Sequence, residues 1–245
     1  RSSDLNFKYP QSFVSSAGYD HLLPFGFIGT VEGLYRHAIN GVRIIDKNLI
    51  GPRMVNGQIY TDKNGRVLYA DTISASGGVT DVKQRAITSV NGTAFNEGAI
   101  YLTNQSKDFN WTLTGQLKKN FTNSFTATAA YTYNRAYDIQ SLTSDRAISN
   151  WRNGREYSTQ ERDDQLTTSS FERRHRLLAY GVYTAPWLRV KAPTTFTIYF
   201  ERQSGTPITY VSGSDLNGDL QAGNDPIYVP TNARDPNEIK LGSMT

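Results

Sequence analysis

The sequence predicts an all-β fold: an antiparallel up-and-down meander of long strands forming part of a large transmembrane β-barrel. Three observations carry that expectation. First, apolar residues recur at every second position, the period of an extended strand with one apolar and one polar face. Phe109, Trp111, Leu113 and Leu117 share one parity, with Asn110, Thr112, Thr114 and Gln116 on the other. Phe125, Ala127, Ala129, Tyr131 and Tyr133 then alternate with Thr126, Thr128, Thr132 and Asn134. Second, the strand candidates run about 12–20 residues, against about 5–6 in globular sheets; a tilted strand needs only about 9–11 to cross a bilayer. Third, short and long connections alternate, as in a barrel whose short turns lie at one end and long loops at the other.

Six strand candidates follow in order. Residues 11–23 lead into a tight turn at 24–26 (Pro24-Phe25-Gly26), and 27–45 run away from it. A long polar segment, 46–96, is rich in Gly, Asn, Asp and Ser and has no assigned role. The third candidate, 98–119, carries an interruption near Asn104–Lys107. A turn at 120–123 joins it to the fourth, 124–138, and a second polar loop spans 139–170. The fifth, 173–185, is apolar on both parities, and a short connection at 186–193 precedes the sixth, 194–211. Residues 212–245 read as loop. No segment holds an apolar stripe of helical period over three turns, so no helix is expected. Tyr19, Phe25, Phe27, Phe121, Phe125, Tyr183 and Trp187 gather near strand ends, as aromatic girdles do at membrane interfaces.

Composition narrows the function class. No run in the 245 residues approaches the roughly 18 consecutive apolar residues of a spanning helix. That excludes a helical membrane protein but not a barrel, whose strands hide their apolar residues at alternate positions. There is no cysteine, hence no disulfide framework and no thiolate metal site. The net charge of +4 is spread over interspersed signs, and no long basic stripe marks a nucleic-acid partner. His21, His37 and His175 lie too far apart to suggest a metal site. No nucleophile-elbow pattern accompanies the Ser and Asp residues, so no enzyme activity and no catalytic residue is expected. The opening "RSSDLNFKYP" lacks a charged-then-apolar leader pattern, and the chain reads as an interior segment of a mature protein.

Three groups of candidate site residues emerge. The charges on long strands, Glu32, Arg36 and Arg202, are expected to face a wet lumen. In the 139–170 loop, Trp151, Arg152, Arg155 and Tyr157 place aromatics beside arginines, a set suited to an anionic or ring-bearing solute, although inert surface loops share this composition. In "DLNGDLQAGND", Asp215, Asn217, Asp219, Asn224 and Asp225 offer alternating oxygen ligands of the kind calcium takes. The twelve-residue calcium loop wants Gly sixth and Glu twelfth, where this chain has Leu220 and Pro226. The same residues also suit a turn held by its own side-chain hydrogen bonds.

Several segments resemble a known family. "LNFKYPQSF…GYDHLLPFGFIGTVEGLYRHAINGV", "YLTNQSKDFNWTLTGQLKKNFTNSFTATAAYTYNRAYD", "FERRHRLLAYGVYTAPW" and "FTIYFERQSGTPITYVSGSDLNGDLQAGNDPIYVP" are similar to barrel segments of Oar-like TonB-dependent outer-membrane receptors. They cover most of the chain apart from 46–96. The resemblance implies a barrel of the 22-stranded class in the outer membrane of a Gram-negative bacterium, closed by a plug that an inner-membrane energy-coupling complex pulls upon. Residues 1–245 would then be an internal barrel segment without the plug, whose partners are outer-membrane lipid, the plug of the same parent chain, the energy-coupling complex through it, and an imported solute. The alternative is a soluble or surface-attached all-β binding or adhesion module, calcium-dependent through the Asp215–Asp225 loop.

Overall fold

A computed structural model describes residues 3–49, 51–62, 65–69, 72–73, 79–81, 89–91, 93–94, 98–153, 166–185, 194–219, 221–232, 234–235 and 237. The chain divides into two compact units. The first comprises Arg1–Ile45, Tyr101–Thr143 and Asp164–Ile208; the second is assembled from the long connections, Asp46–Ile100, Ser144–Asp163 and Thr209–Thr245.

The first unit is an antiparallel sheet built on six long strands: β1 (Ser12–Leu23), β2 (Phe27–Ala38), β3 (Phe109–Thr122), β4 (Phe125–Asp138), β5 (His175–Ala185) and β6 (Thr194–Gln203). They pair strictly in sequence order, the meander expected from the alternating connections. A two-residue strand, Thr167–Thr168, adds to the end of β4 through Tyr137 and Asp138. With one helix among the described residues, the chain is all-β.

Local chemistry sets the ends of these strands. β1 and β2 close at Leu23 and Phe27, and the Pro24–Gly26 turn between them needs left-handed backbone at Phe25 (φ 63) and Gly26 (φ 76). Glycine adopts that conformation freely, whereas Phe25 carries a strain of about 1 kcal/mol or more. The next hairpin is tighter than expected. Thr122 pairs with Phe125, leaving only Asn123 and Ser124 as the turn, because Asn120 is still in the ladder opposite Thr126. Its Oδ1 accepts the Thr126 hydroxyl at 2.9 Å, so the expected turn at 120–123 moves outward.

At the opposite end the sheet stops abruptly. The second candidate breaks at Ile39 and Asn40, whose N–H groups donate to the Gln11 carbonyl at 2.8 and 3.2 Å. The third breaks after Gln105, close to the expected interruption, and Ala38 N–H meets the Asp108 carbonyl at 2.8 Å across the two breaks. Beyond them, Gly41–Asp46 and Ile100–Gln105 pair as a separate two-stranded ladder. The sixth strand ends at Gln203 rather than 211, since Ser204 N–H closes onto the His175 carbonyl at 2.8 Å and Gly205 and Pro207 follow.

In the second unit the helix-free expectation fails. A seven-residue helix, α1 (Ala147–Asn153), sits in the 139–170 segment. The Asn150 side chain accepts Ser144 N–H at 2.8 Å and donates to the Ser144 carbonyl at 2.7 Å, fixing the entry to the helix. Within this unit Leu49, Val67, Leu68, Tyr69 and Trp151 are buried. By contrast, among the described residues of the six long strands, the buried apolar side chains are Ala130 and Ala185. The long sheet has almost no core of its own.

One polar corner ties β4 to the approach to β5. Glu172, 1% exposed, accepts Ala136 N–H at 3.0 Å and Arg174 Nε at 2.9 Å, with Arg135 Nε at 3.2 Å. Burial alone would raise its pKa, but the Ala136 N–H, Arg174 and Arg135 hold it below the ordinary carboxylate range. A depressed folded-state pKa stabilises the fold above the unfolded value, and that contribution is lost as pH falls through the folded one. Hydrogen exchange at Ala136, corrected for intrinsic rates, should therefore lose protection as pH drops below about 4. Glu172→Gln should cost about 3 kcal/mol at neutral pH and flatten that dependence, because it leaves two guanidinium groups without their anion.

Candidate functional site

The registers sort every long-strand side chain onto one of two faces. On the first lie Phe13, Tyr19 and Leu23 of β1, with Phe27, Val31 and Tyr35 of β2. β3 adds Trp111, Leu113 and Leu117, and β4 adds Phe125, Ala129 and Tyr131. Leu177, Ala179 and Tyr183 of β5 and Phe196, Ile198 and Phe200 of β6 complete the row. The ambiguous fifth strand is thereby resolved, with Leu178, Tyr180 and Val182 on the other side.

This apolar face is open. Val31, Leu117 and Ile198 are 55%, 49% and 78% exposed. It is also zoned. Near the short turns, Phe27, Phe121 and Phe125 pack ring to ring, and the Lys119 ammonium sits 4.6 Å from the centre of the Phe27 ring. Toward the other end, Trp111 packs on Tyr133 at 5.5 Å, and the Tyr131 hydroxyl bonds His175 Nδ1 at 2.6 Å. Between the two aromatic rows, Gly29, Gly115, Leu117 and Ala129 leave a mostly apolar strip, with Tyr19, His21 and Tyr131 also on it.

The second face is mixed: Leu22, Ile28, Leu34, Leu178, Tyr180 and Val182 stand on it beside a set of polar side chains bonded to one another. Thr114 and Thr132 hydroxyls lie 3.1 Å apart, Thr112 donates to Asn134 at 3.0 Å, and Arg176 Nε meets Glu201 at 2.7 Å. Glu32 and Arg36 stand here, Arg36 donating to the Ser12 hydroxyl at 3.0 Å. Arg202 does not. It pairs with Leu177 and shares the face of Phe196, Ile198 and Phe200, at the far end of β6 beyond Phe200. Parity put it there, and Glu201 is the polar-face charge of that strand.

Where the polar face reaches the long-connection end, a cavity of about 540 Å³ opens in the first unit. Arg36, Asn110, Asn134, Asp108, Asp138 and Gln140 line it, donors and acceptors of both signs. Asp108 Oδ1 accepts Ile139 N–H at 3.0 Å. Burial pushes the Asp108 pKa up, the Ile139 N–H opposes this, and neighbouring Asp138 adds to it. Sequence alone did not find this cavity, since its residues come from distant segments with no common motif.

The loop candidates divide. Trp151 is only 1% exposed and serves as core of the second unit, so the expected aromatic platform for a solute is withdrawn; a ring enclosed by its own protein cannot stack on a ligand. Arg152, on α1, is exposed. Arg155, Tyr157, Trp187 and the 186–193 connection lie outside the described residues.

The Asp215–Asp225 residues do come together in the second unit. Asp215 Oδ1 accepts the N–H groups of Asn217 and Gly218 at 3.2 and 2.6 Å, and Asn217 Oδ1 accepts Asp219 N–H at 2.9 Å. Asp219 Oδ1 accepts Gln221 N–H at 2.6 Å, and its Oδ2 accepts the Asn224 amide at 2.6 Å. Asp225 Oδ2 accepts Leu216 N–H at 2.8 Å. Asn217, Asp219, Asn224 and Asp225 are all buried. Burial drives the Asp225 pKa up to about 7; Leu216 N–H opposes the shift, Asp219 and Asp215 reinforce it, and Arg66 pulls it back. Among the described residues, no group of three or more His, Cys, Asp or Glu side chains is arranged as a ready metal cage.

No family model, no curated protein and no solved structure matches the chain.

The Asp108 shift has a sign opposite to that of Glu172. A carboxyl with a raised folded-state pKa costs stability progressively as pH climbs above its unfolded value. Asp108→Asn keeps an oxygen for Ile139 N–H while removing the charge. It should raise the melting temperature at pH 7 and leave it nearly unchanged at pH 4, as thermal unfolding at the two pH values would read. A lower melting temperature at pH 7 would count against the assignment.

Proposed function

We propose that this chain forms part of the wall of a transmembrane β-barrel in a bacterial outer membrane, within a TonB-dependent receptor that binds and imports a solute. The observation that carries this reading is the open apolar face bounded by two aromatic rows. Trp111 and Phe121 on β3 stand ten residue steps apart. That is about 33 Å along the strand, or about 25 Å along the normal at a tilt of about 40°. The apolar band of an outer-membrane barrel has this height, with aromatic girdles at both rims and short turns at the periplasmic end. Lys119, folded over Phe27 and Phe121 at the turn end, fits an ammonium reaching for the headgroups from a mostly apolar stem.

In this reading the apolar face contacts lipid, and the threonine-rich face lines the lumen. The unpaired edges of β1 and β6 join further strands, because lipid tolerates no open sheet edge. Glu32 and Arg36 meet lumen water or the plug. The cavity around Arg36, Asp108 and Asn134 lies at the outer end of the wall and offers hydrogen bonds to a polar solute on its way in. Force from an inner-membrane complex on the plug would release it. The resemblance of the hairpin segments to Oar-like receptors is what favours this class over a passive porin.

Membrane extraction and folding energetics test the reading. The full-length protein should resist salt and carbonate washes and enter solution only with detergent. Leu117→Arg, in the middle of the apolar strip, should reduce folding free energy in a bilayer by about 2–4 kcal/mol. Thr114→Arg, on the polar face, should cost under about 1 kcal/mol, as a surface change does. A protein soluble without detergent, with Leu117→Arg no worse than Thr114→Arg, would favour a secreted adhesion module instead.

A further inference from the structure

Two buried side-chain oxygens in the Asp215–Asp225 loop have no hydrogen-bond partner: Asn224 Oδ1 and Asp225 Oδ1, both on fully buried residues. The orientation of Asn224 is fixed, since its NH₂ end donates to Asp219 Oδ2, and so its carbonyl oxygen is the unbonded atom. Asp225 is fixed in the same way through Oδ2 and Leu216 N–H. A buried acceptor without a donor costs about 1–3 kcal/mol, and two adjacent ones in a loop this short call for an electrophile.

The charges agree. Three carboxylates, Asp215, Asp219 and Asp225, stand on this one short loop, each already bonded to a backbone donor through one oxygen. The nearby guanidinium of Arg66 neutralises little. Its Nε stands 3.9 Å from Asp225 Oδ1, beyond hydrogen-bond reach, and its Nη1 faces Asp62 at 3.7 Å. The N–H groups of Leu216, Gly218, Asp219 and Gln221 already donate to other oxygens of the loop.

We infer that this loop is a site for a divalent hard cation, calcium above magnesium, with Asp215, Asn217, Asp219, Asn224 and Asp225 as its oxygen donors. Five side chains on one short loop can supply the six to eight oxygens calcium takes, with carbonyls or water completing the set. Magnesium demands a tighter octahedron and gives up its waters reluctantly, which a loop of separate Asx turns does not favour. Binding would fasten two segments of the second unit. Tyr69 N–H already donates to the Asn217 carbonyl at 2.6 Å, and Ser212 N–H and the Asp225 carbonyl close the loop base at 2.9 Å. The inference stands independently of the membrane reading.

The test uses the full-length chain in detergent, stripped with chelator and titrated with calcium or magnesium chloride by calorimetry, alongside hydrogen exchange. Calcium should bind once per chain with a Kd of roughly 10⁻⁴–10⁻³ M, and magnesium about tenfold more weakly. Calcium should slow exchange at the amides of Leu216, Gly218, Asp219 and Gln221 about tenfold or more, a change read on the wild type without any variant. Asp219→Asn and Asp225→Asn should each weaken calcium about tenfold or more, while Asp20→Asn, on β1, leaves it unchanged. Wild-type protein that shows neither heat nor protection at about 10 mM calcium would overturn the inference, as would Asp219→Asn binding with unaltered affinity.

Discussion

A wide sheet that no second layer covers among the described residues is the constraint on which the rest of this molecule depends. Sheets are stable when at least one face is covered, and domains normally achieve this by packing a helix layer or another sheet. Here the six long strands bury almost nothing within the described chain. At about 25 cal/mol per Å², the half-exposed side chains from Phe13 across to Phe200 represent on the order of 30 kcal/mol of burial still to be gained. That exceeds the whole stability of an ordinary domain. Whatever covers this face therefore decides whether the sheet persists, and a bilayer covers it without requiring a complementary shape.

The polar face follows from the same constraint. If the apolar face is covered as proposed, the other face keeps water, and its polar side chains bond sideways to neighbouring strands. Thr112 with Asn134, Thr114 with Thr132, Thr126 with Asn120 and Arg176 with Glu201 are such cross-strand pairs. Each adds only about 0.2–1 kcal/mol, but together they hold register where no core does. A one-residue slip would turn threonines toward the apolar side along the entire strand, so register is specified by both faces at once.

Much of this was legible because period two is a local property. Strands β1 to β5, their order and the face of nearly every residue on β3 and β4 could be read directly. The far end of β2 and the start of β3 could not, since Ile39 stops at the Gln11 carbonyl and Ala38 at that of Asp108, partners far away in the chain. Arg202 shows a different failure. Its parity with Phe200 was readable, but its charge was allowed to outweigh its position, and at a strand end a guanidinium can stay wet from either face. Helix α1 is too short to display a stripe, and Trp151 looked like a loop aromatic because only the packing of the second unit reveals its burial. The polar cavity joins residues 36, 108 and 138, a juxtaposition that exists only once the meander has formed.

The two units solve the problem of backbone polarity in contrasting ways. In the long sheet the strands satisfy one another, and side chains remain available for lipid or water. Between Tyr210 and Ile227, backbone pairing within the segment closes its base among the described residues, at Ser212 with Asp225 and Ile227 with Tyr210. Inside it, aspartate and asparagine oxygens take the N–H groups of Leu216, Asn217, Gly218, Asp219 and Gln221. A carboxylate accepts such bonds best when ionised, so order in the backbone demands charge in the side chains. Burial makes those charges costly to keep, and packing them together adds to that cost. The loop thus needs the charges for its shape and a counter-charge to keep them, and Arg66 alone, 3.9 Å from Asp225 and shared with Asp62, does not meet that need.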